Sequence, residues 1–155
     1  MISFDTPLFN IQERKRGYIS ALEQNGIAFN KDLLFEINSD DMNANVENAI
    51  NELVTPGRQA DALLFATNAI ATHGLKHISR LNIQVPEQLA LISFDKTDVL
   101  DLFYSPLTYI NQPLPEMGRL ATKILIEAIE GNKEITQINL PGELVIRSST
   151  KAHHR

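Results

Sequence analysis

Polar side chains that could bind a small molecule follow the short apolar runs of this sequence. Thr67 and Asn68 follow one run, Asp95 follows another, Asp40 comes shortly after a third, and Arg14 lies in the segment after the first. One guanidinium with short carboxylates and amides suits a neutral polyol or sugar, because hydroxyl groups need both donors and acceptors fixed in space. Taken singly, Asn68 is equally explained as a helix cap and Asp95 as the start of a turn.

The sequence lacks the residue combinations that are typical of an enzyme or a metal centre. His73 and His77 are four residues apart and would share one helix face, but no third ligand accompanies them and no Glu follows His73 as in zinc proteases. We interpret both as solvent-facing or partner-facing. Cysteine, the glycine-rich phosphate motifs and a nucleophile elbow around residues 148–150 are all missing. We therefore predict a protein that is not an enzyme and uses no cofactor and no metal.

The composition suits one soluble domain. The chain has 155 residues, of which 43% are hydrophobic and 21% charged, and its net charge is −5. That charge does not favour a free-standing nucleic-acid binder. No apolar stretch reaches the roughly 18 residues of a membrane span, and the N-terminal residues lack a signal-peptide pattern. We expect a cytoplasmic protein without membrane contact, and the lack of cysteine fits a reducing compartment.

Short apolar runs alternate with helical periods in the first part of the chain. The pattern predicts strands at residues 1–4, 33–37, 62–66 and 89–94, and helices at residues 10–25, 42–53 and 68–81. Gly26 and the Pro56–Gly57 pair are natural ends for the first two helices. The unbroken apolar character of residues 62–66 is typical of a strand buried on both faces. The alternation predicts an α/β fold with a doubly wound parallel sheet and right-handed crossovers.

The alternation breaks after Asp95. Residues 98–105 are interpreted as a loop or half-turn, and residues 107–110 as a short extended piece. A helix with a long apolar stripe is predicted at residues 113–131. Residues 135–146 alternate as a final extended segment that Pro141 and Gly142 interrupt.

The predicted topology also brings polar residues together. Ligands of open parallel sheets bind beyond the carboxyl ends of the strands. Asp95 follows the fourth strand and Arg14 lies on the helix after the first. These two strands lie near each other in doubly wound sheets, so we expect both side chains at one edge of the sheet, within reach of one small ligand.

Five short stretches carry recognisable patterns in a fixed order. They are R-K-R-G-Y with A-L and G further on (14–26), D-A-L-L-F-A-T-N (61–68), V-P-E-Q-L-A-L-I-S-F-D (85–95), P-L-T-Y-I-N-Q-P (106–113) and L-P-G-E-L-V-I-R-S-S-T (140–150). Together they resemble the lactose/galactose-repressor family of bacterial transcription regulators. The last stretch also separates these repressors from the periplasmic sugar-binding proteins of the same fold.

The resemblance implies a Rossmann-like subdomain of the periplasmic-binding-protein type and covers only part of such a regulator. Residues 1–110 would form the C-terminal subdomain of the effector-binding domain. Residues 111–134 would form a crossover and a helix that packs on an N-terminal subdomain, and residues 135–155 a returning strand and tail. The DNA-binding headpiece would be absent. Such a regulator binds a sugar or related polar metabolite, forms a homodimer, and contacts operator DNA only through its headpiece.

The resemblance also assigns residues. The effector site would comprise Arg14, Asp95, Thr67, Asn68, Asn10, Asp40 and Gln112. Arg14 would bond effector hydroxyls, Asp95 would make a bidentate sugar contact, and Gln112 would lie at the crossover. The dimer surface would include Ile70, His73, His77, Phe103 and Tyr104. Residues 67 and 68 replace an Asn–Asp pair that is usual in the family, so the identity of the effector is not carried over.

Two alternative functions remain open at this point. A periplasmic solute-binding component of a sugar transporter would share the fold and would need a signal peptide on its gene. A small-molecule enzyme on a doubly wound sheet would need an acid–base pair, which the sequence does not supply. We favour the regulator, acting by binding and not by catalysis.

Overall fold

The computed structural model describes residues 1–55 and 60–150. Its strands are β1 (Ile2–Phe4), β2 (Phe35–Ile37), β3 (Ala62–Phe65), β4 (Ala90–Phe94), β5 (Thr108–Asn111) and β6 (Glu143–Val145). Its helices are α1 (Phe9–Gln24), α2 (Met42–Val54), α3 (Asn68–Arg80), α4 (Val99–Leu102) and α5 (Leu114–Ile129). Short 3₁₀ turns are formed by Lys31–Leu33 and Ser148–Thr150.

The strands form one sheet in the order β2-β1-β3-β4-β5-β6. The first five are parallel, and β6 pairs antiparallel with β5. The predicted α/β fold with a doubly wound parallel sheet is therefore confirmed. Because the strand order reverses at β1, the crevice for a ligand is expected beyond the carboxyl ends of β1 and its neighbours.

One face of the sheet is densely packed against α2 and α3. Phe65 of β3 and Leu91 of β4 are fully buried there. Gly74 of α3 lies directly over the Phe65 ring, where an added Cβ would be only 2.4 Å from a ring carbon. The helix reaches the sheet this closely because its residue at the contact has no side chain.

The other face of the sheet is only partly covered. Residues on this face alternate with those of the packed face, and Leu64, Phe94 and Ile110 remain partly exposed on it. Helix α1 covers the end near β1 and β2, where Lys15 forms an ion pair with Glu36. The open part of this face lies over β3, β4 and β5.

The chain after β6 returns to the sheet and is held there by hydrogen bonds of Ser149. The Ser149 hydroxyl donates to the Leu91 carbonyl at 2.6 Å and accepts from the Thr108 amide at 2.8 Å. The Ser149 amide donates to the Pro106 carbonyl at 3.2 Å. This buried serine therefore ties the closing segment to both β4 and β5.

Helix α5 has an unpartnered apolar face. None of its residues is buried, and Leu125, Ile126 and Ile129 are exposed to 60%, 50% and 77%. That α5 packs on a further subdomain stays a prediction. Among the described residues, no helix is long and apolar enough to cross a bilayer.

The structure differs from the sequence prediction at several element boundaries. Leu33 belongs to a 3₁₀ turn and not to β2, because the Asn30 side chain accepts from the Asp32 amide at 2.9 Å and starts that turn. The predicted loop at 98–105 contains the short helix α4, and only residues 143–145 of the segment 135–146 pair as a strand. The Pro56–Gly57 stop and the tail beyond residue 150 lie outside the described residues.

Candidate functional site

Asp95 lies immediately after β4 with a left-handed backbone. Its φ is +73°, a region that Asp and Asn enter more readily than most other residues that have a side chain. Its amide donates to the Ile110 carbonyl of β5 at 3.0 Å, which fixes the turn against the next strand. The carboxylate is left 23% exposed at the carboxyl edge of the sheet.

Arg14 of α1 lies across the open face and contacts this carboxylate. Its guanidinium donates to the Ala66 carbonyl at 2.7 Å, and the same nitrogen is 3.5 Å from Asp95 Oδ2. Its Cζ lies 3.8 Å from the centre of the Phe94 ring, as in a cation–π contact. Burial lowers the pKa of Arg14, and the charge and hydrogen bond of Asp95 oppose that shift.

Gln112 joins the cluster from the chain segment after β5. Its side-chain amide donates to Asp95 Oδ1. The two carboxylate oxygens of Asp95 therefore have different partners, Gln112 on one and Arg14 on the other. The predicted neighbourhood of Arg14 and Asp95 at one sheet edge agrees with this geometry, while ligand binding by them remains a proposal.

A groove of about 880 Å³ opens beside the cluster. This lies within the range of small-molecule sites, roughly 300–1,000 Å³. Its floor is the open face of the sheet, with Leu64, Phe94 and Ile110. One wall is α1, with the polar residues Asn10, Glu13, Arg14 and Arg16, and the other is the segment before β6, with Gln137 and Asn139. Gln112 lines the groove from its position directly after β5.

Four of the predicted effector residues do not line this groove, and of these only Asp95 is joined to it, through Arg14 and Gln112. Thr67 caps α3, since its side chain accepts from the Ile70 amide at 3.3 Å. Asn68 is the first residue of α3 and not its cap, so the alternative explanation of Asn68 as a cap is wrong. Asp40 is exposed after β2, and two strands separate β2 from β4. Arg14, Gln112 and the exposed Asn10 therefore line the groove, and Asp95 adjoins it through its bonds to Arg14 and Gln112. The other three residues do not belong to this group.

Several groove residues were not predicted from the sequence. Phe94 precedes Asp95, and its place under Arg14 follows from strand alternation once the face of Asp95 is known. Tyr18 also lines the groove, packs edge-on against Phe29 with ring centres 6.5 Å apart, and has its pKa raised by burial. Gln137 and Asn139 carry no local pattern that would have placed them there.

No group of side chains suited to a metal ion occurs among residues 1–55 and 60–150. The cluster itself contains one carboxylate, one guanidinium and one amide. These groups can hold hydroxyl donors and acceptors in fixed directions.

Residues 2–150 match the model of a family described as a periplasmic binding protein-like domain. The chain belongs to this family. Among its relatives, the NTD biosynthesis operon regulator NtdR of Bacillus subtilis (strain 168) is 30% identical over 151 residues, which cover 95% of this chain and 45% of NtdR. The transcriptional repressor CytR of Escherichia coli (strain K12) is 31% identical over 146 residues, covering 90% of this chain and 40% of CytR.

Solved structures agree with these relatives. The transcriptional regulator CelR in complex with cellobiose matches with a TM-score of 0.85 and 25% identity, over 96% of this chain and 45% of CelR. The resemblance to the lactose/galactose-repressor family is thus confirmed. The chain spans less than half the length of these relatives. NtdR, CytR and CelR are named as regulators or repressors, and not as transporters or enzymes.

The predicted dimer surface of this periplasmic-binding-protein-like domain needs correction. Ile70 is fully buried and Phe103 is 9% exposed, and both pack in the chain's own core. They cannot form a surface for a second chain. Tyr104 is 61% exposed, although its hydroxyl donates to the Ile83 carbonyl at 2.9 Å and accepts from the Val85 amide at 2.7 Å.

His77 is also buried within the chain. Its Nε2 lies 2.9 Å from Asn51 Oδ1 of α2, and its Nδ1 lies 3.7 Å from Glu47 Oε1. The interpretation of His77 as solvent-facing or partner-facing is therefore wrong, because the imidazole fills the contact between α2 and α3. His73 is partly exposed, and its Nδ1 lies 3.2 Å from Asn43 Oδ1. The predicted surface thus retains His73 and Tyr104.

Proposed function

We propose that this chain is the C-terminal part of the effector-binding domain of a bacterial transcription regulator, and that its effector is a sugar or a related neutral polar molecule. The observation that carries the proposal is the cluster of Arg14, Asp95 and Gln112 at the carboxyl edge of the sheet, beside a groove large enough for such a molecule. The relatives NtdR and CytR support the regulatory part, and the cellobiose complex of CelR supports the sugar part.

The chemistry of the cluster suits binding and not catalysis. A sugar hydroxyl both donates and accepts hydrogen bonds. Asp95 offers a charged acceptor, while Arg14 and Gln112 offer donors, and bonds to charged groups are roughly twice as strong as neutral ones. The partly exposed apolar floor of Leu64 and Ile110 suits the less polar face of such a ligand. The proposed protein needs no cofactor.

The proposed mechanism is a change in orientation between subdomains. Residues 1–110 form one subdomain, residues 111–134 cross to a second subdomain, and residues 135–155 return. An effector between the subdomains favours one orientation by the difference in its affinity for the two states. A homodimer in the cytoplasm then transmits this orientation to DNA-binding headpieces.

The test uses the whole regulator that carries this chain, with Asp95→Asn as the variant. Asn tolerates the left-handed backbone at this position, so the variant removes the charge with little strain. A saccharide panel that includes cellobiose first identifies a ligand by its increase in melting temperature. We expect Asp95→Asn to weaken the response of operator binding to that ligand by about 1–3 kcal/mol, and to leave operator binding without ligand nearly unchanged.

Asp40→Asn is the matched control, because Asp40 is an exposed carboxylate after β2, which two strands separate from β4. It should respond like the wild type. An Asp95→Asn regulator that folds, binds its operator and responds at wild-type ligand concentrations would remove Asp95 from the site.

A further inference from the structure

Asp95 and Gln112 connect the ends of two neighbouring strands. Asp95 follows β4, and Gln112 follows β5. Between them lie a backbone bond from the Asp95 amide to the Ile110 carbonyl at 3.0 Å and the side-chain bond from Gln112 to Asp95 Oδ1. The side-chain bond extends the attachment of the two strands beyond their last backbone pair.

This attachment lies at the base of α5. Only Gln112 and Pro113 separate β5 from α5. The Leu114 amide donates to the Gln112 carbonyl at 2.8 Å, and the Met117 amide donates to the Pro113 carbonyl at 2.9 Å. Since no side chain of α5 is fully buried, the bonds at this junction contribute to fixing the direction of the helix.

We propose that Gln112 is a positioning residue that ties the start of α5 to the Asp95 carboxylate, so that contact of a ligand with Asp95 and the direction of α5 are linked. The carboxylate is only 23% exposed, and both of its oxygens already have partners. A ligand that takes Oδ1 competes with Gln112, and by reciprocity a shift of α5 changes affinity for the ligand. The link to a ligand rests on the proposed function, whereas the tie between the two side chains does not.

The tie is tested on the 155-residue chain without any ligand. Gln112→Glu keeps the size of the side chain but sets a second carboxylate against Asp95. We expect the Leu114 and Met117 amides to exchange with solvent about tenfold faster in this variant, measured by NMR, relative to the β3 amides. If Gln112 acted only by packing, the isosteric Gln112→Glu would accelerate exchange less than Gln112→Leu does. We expect Gln112→Glu to accelerate it more.

A swapped pair gives the decisive comparison. In the double variant D95N/Q112E the amide and the carboxylate exchange places, so the hydrogen bond can form again with its donor on the other side chain. Exchange at Leu114 and Met117 should then return toward the wild-type rate. Gln137→Glu is the matched control, because it adds a carboxylate to the same groove from the segment after α5, and it should leave these amides unchanged.

The proposal is overturned if Gln112→Glu leaves exchange at the start of α5 at the wild-type rate, or if D95N/Q112E is no slower than Gln112→Glu. It is supported if the swapped pair restores protection. If the exchange data confirm the tie but Asp95→Asn leaves the ligand response of the whole regulator unchanged, only the proposed effector site is refuted. If Asp95→Asn weakens the ligand response but the exchange data show no tie, only the tie is refuted.

Discussion

The contact between Gly74 and Phe65 predicts that Gly74→Ala lowers the free energy of unfolding, although helix propensity alone would raise it. Replacing a helical Gly by Ala normally stabilises by about 1 kcal/mol. At Gly74 the new methyl group would lie 2.4 Å and 2.6 Å from two ring carbons of Phe65 and 3.4 Å from Ile50 Cδ1. Phe65 is fully buried and cannot move aside without disturbing the core.

The magnitude follows from these two opposing effects. Overpacking of a dense core costs about 1–3 kcal/mol, and a contact this short belongs at the upper end. After subtraction of the propensity gain, Gly74→Ala should lower the free energy of unfolding by about 2 kcal/mol. For a chain of this size that is a fall in melting temperature of about 4–8 °C. Urea unfolding followed by circular dichroism gives the free energy directly.

Gly17→Ala is the matched control. Gly17 is also a helical glycine, but nothing lies within 4 Å of its added Cβ. It should therefore stabilise by about 0.5–1 kcal/mol. In a Phe65→Leu background, which removes the clashing ring atoms, Gly74→Ala should cost less than in the wild type. A Gly74→Ala chain that is as stable as the wild type would refute the reasoning, because it would show that α3 can move away from β3 at little cost.

Three further predictions follow from other contacts. Ser149→Ala should lower the free energy of unfolding by about 1–3 kcal/mol, measured by urea unfolding, because the buried Leu91 carbonyl and Thr108 amide lose their bonds to this hydroxyl. Ser79→Ala, at an exposed position, should be near neutral. The chain should self-associate through its apolar α5 face, so that sedimentation at rising concentration shows oligomers that Ile129→Lys weakens; a strict monomer would contradict this. The chain should not retard duplex DNA in a gel-shift assay, given its net charge of −5, and tight salt-dependent retardation would count against this.

The sheet was predictable because its strands leave a strong local signal. The run that became β3 is apolar throughout, and only Ser93 interrupts the run that became β4. The parallel order and right-handed crossovers then leave few topologies. The meeting of Arg14 with Asp95 followed from that topology alone. Gln112, by contrast, was found only through the resemblance to a family, because its position after β5 has no signal of its own.

The remaining parts depended on contacts that periodicity does not specify. His73 and His77 share a helix face, yet α2 covers His77 and leaves His73 partly exposed. Both Thr67 and Asn68 are good caps, and the choice of Thr67 came from its extended backbone, with φ −147° and ψ 158°. In the alternating segment 135–146, only residues 143–145 pair with β5, and the alternation alone does not indicate which residues find a partner strand.

Arg14 stabilises the fold and also forms part of the candidate site. This decides which side chain is suitable for measuring ligand binding by substitution. Only 9% of its side chain is exposed, and its charge is accommodated by the Ala66 carbonyl, the Phe94 ring and Asp95 together. An Arg14 variant would leave a buried carbonyl and an uncovered ring, so it would change stability and ligand response at once. Asp95→Asn keeps the first two of these contacts. It removes only the counter-charge of Arg14, so it should disturb the fold less than an Arg14 variant, and the carboxylate is the better side of the pair for measuring ligand binding.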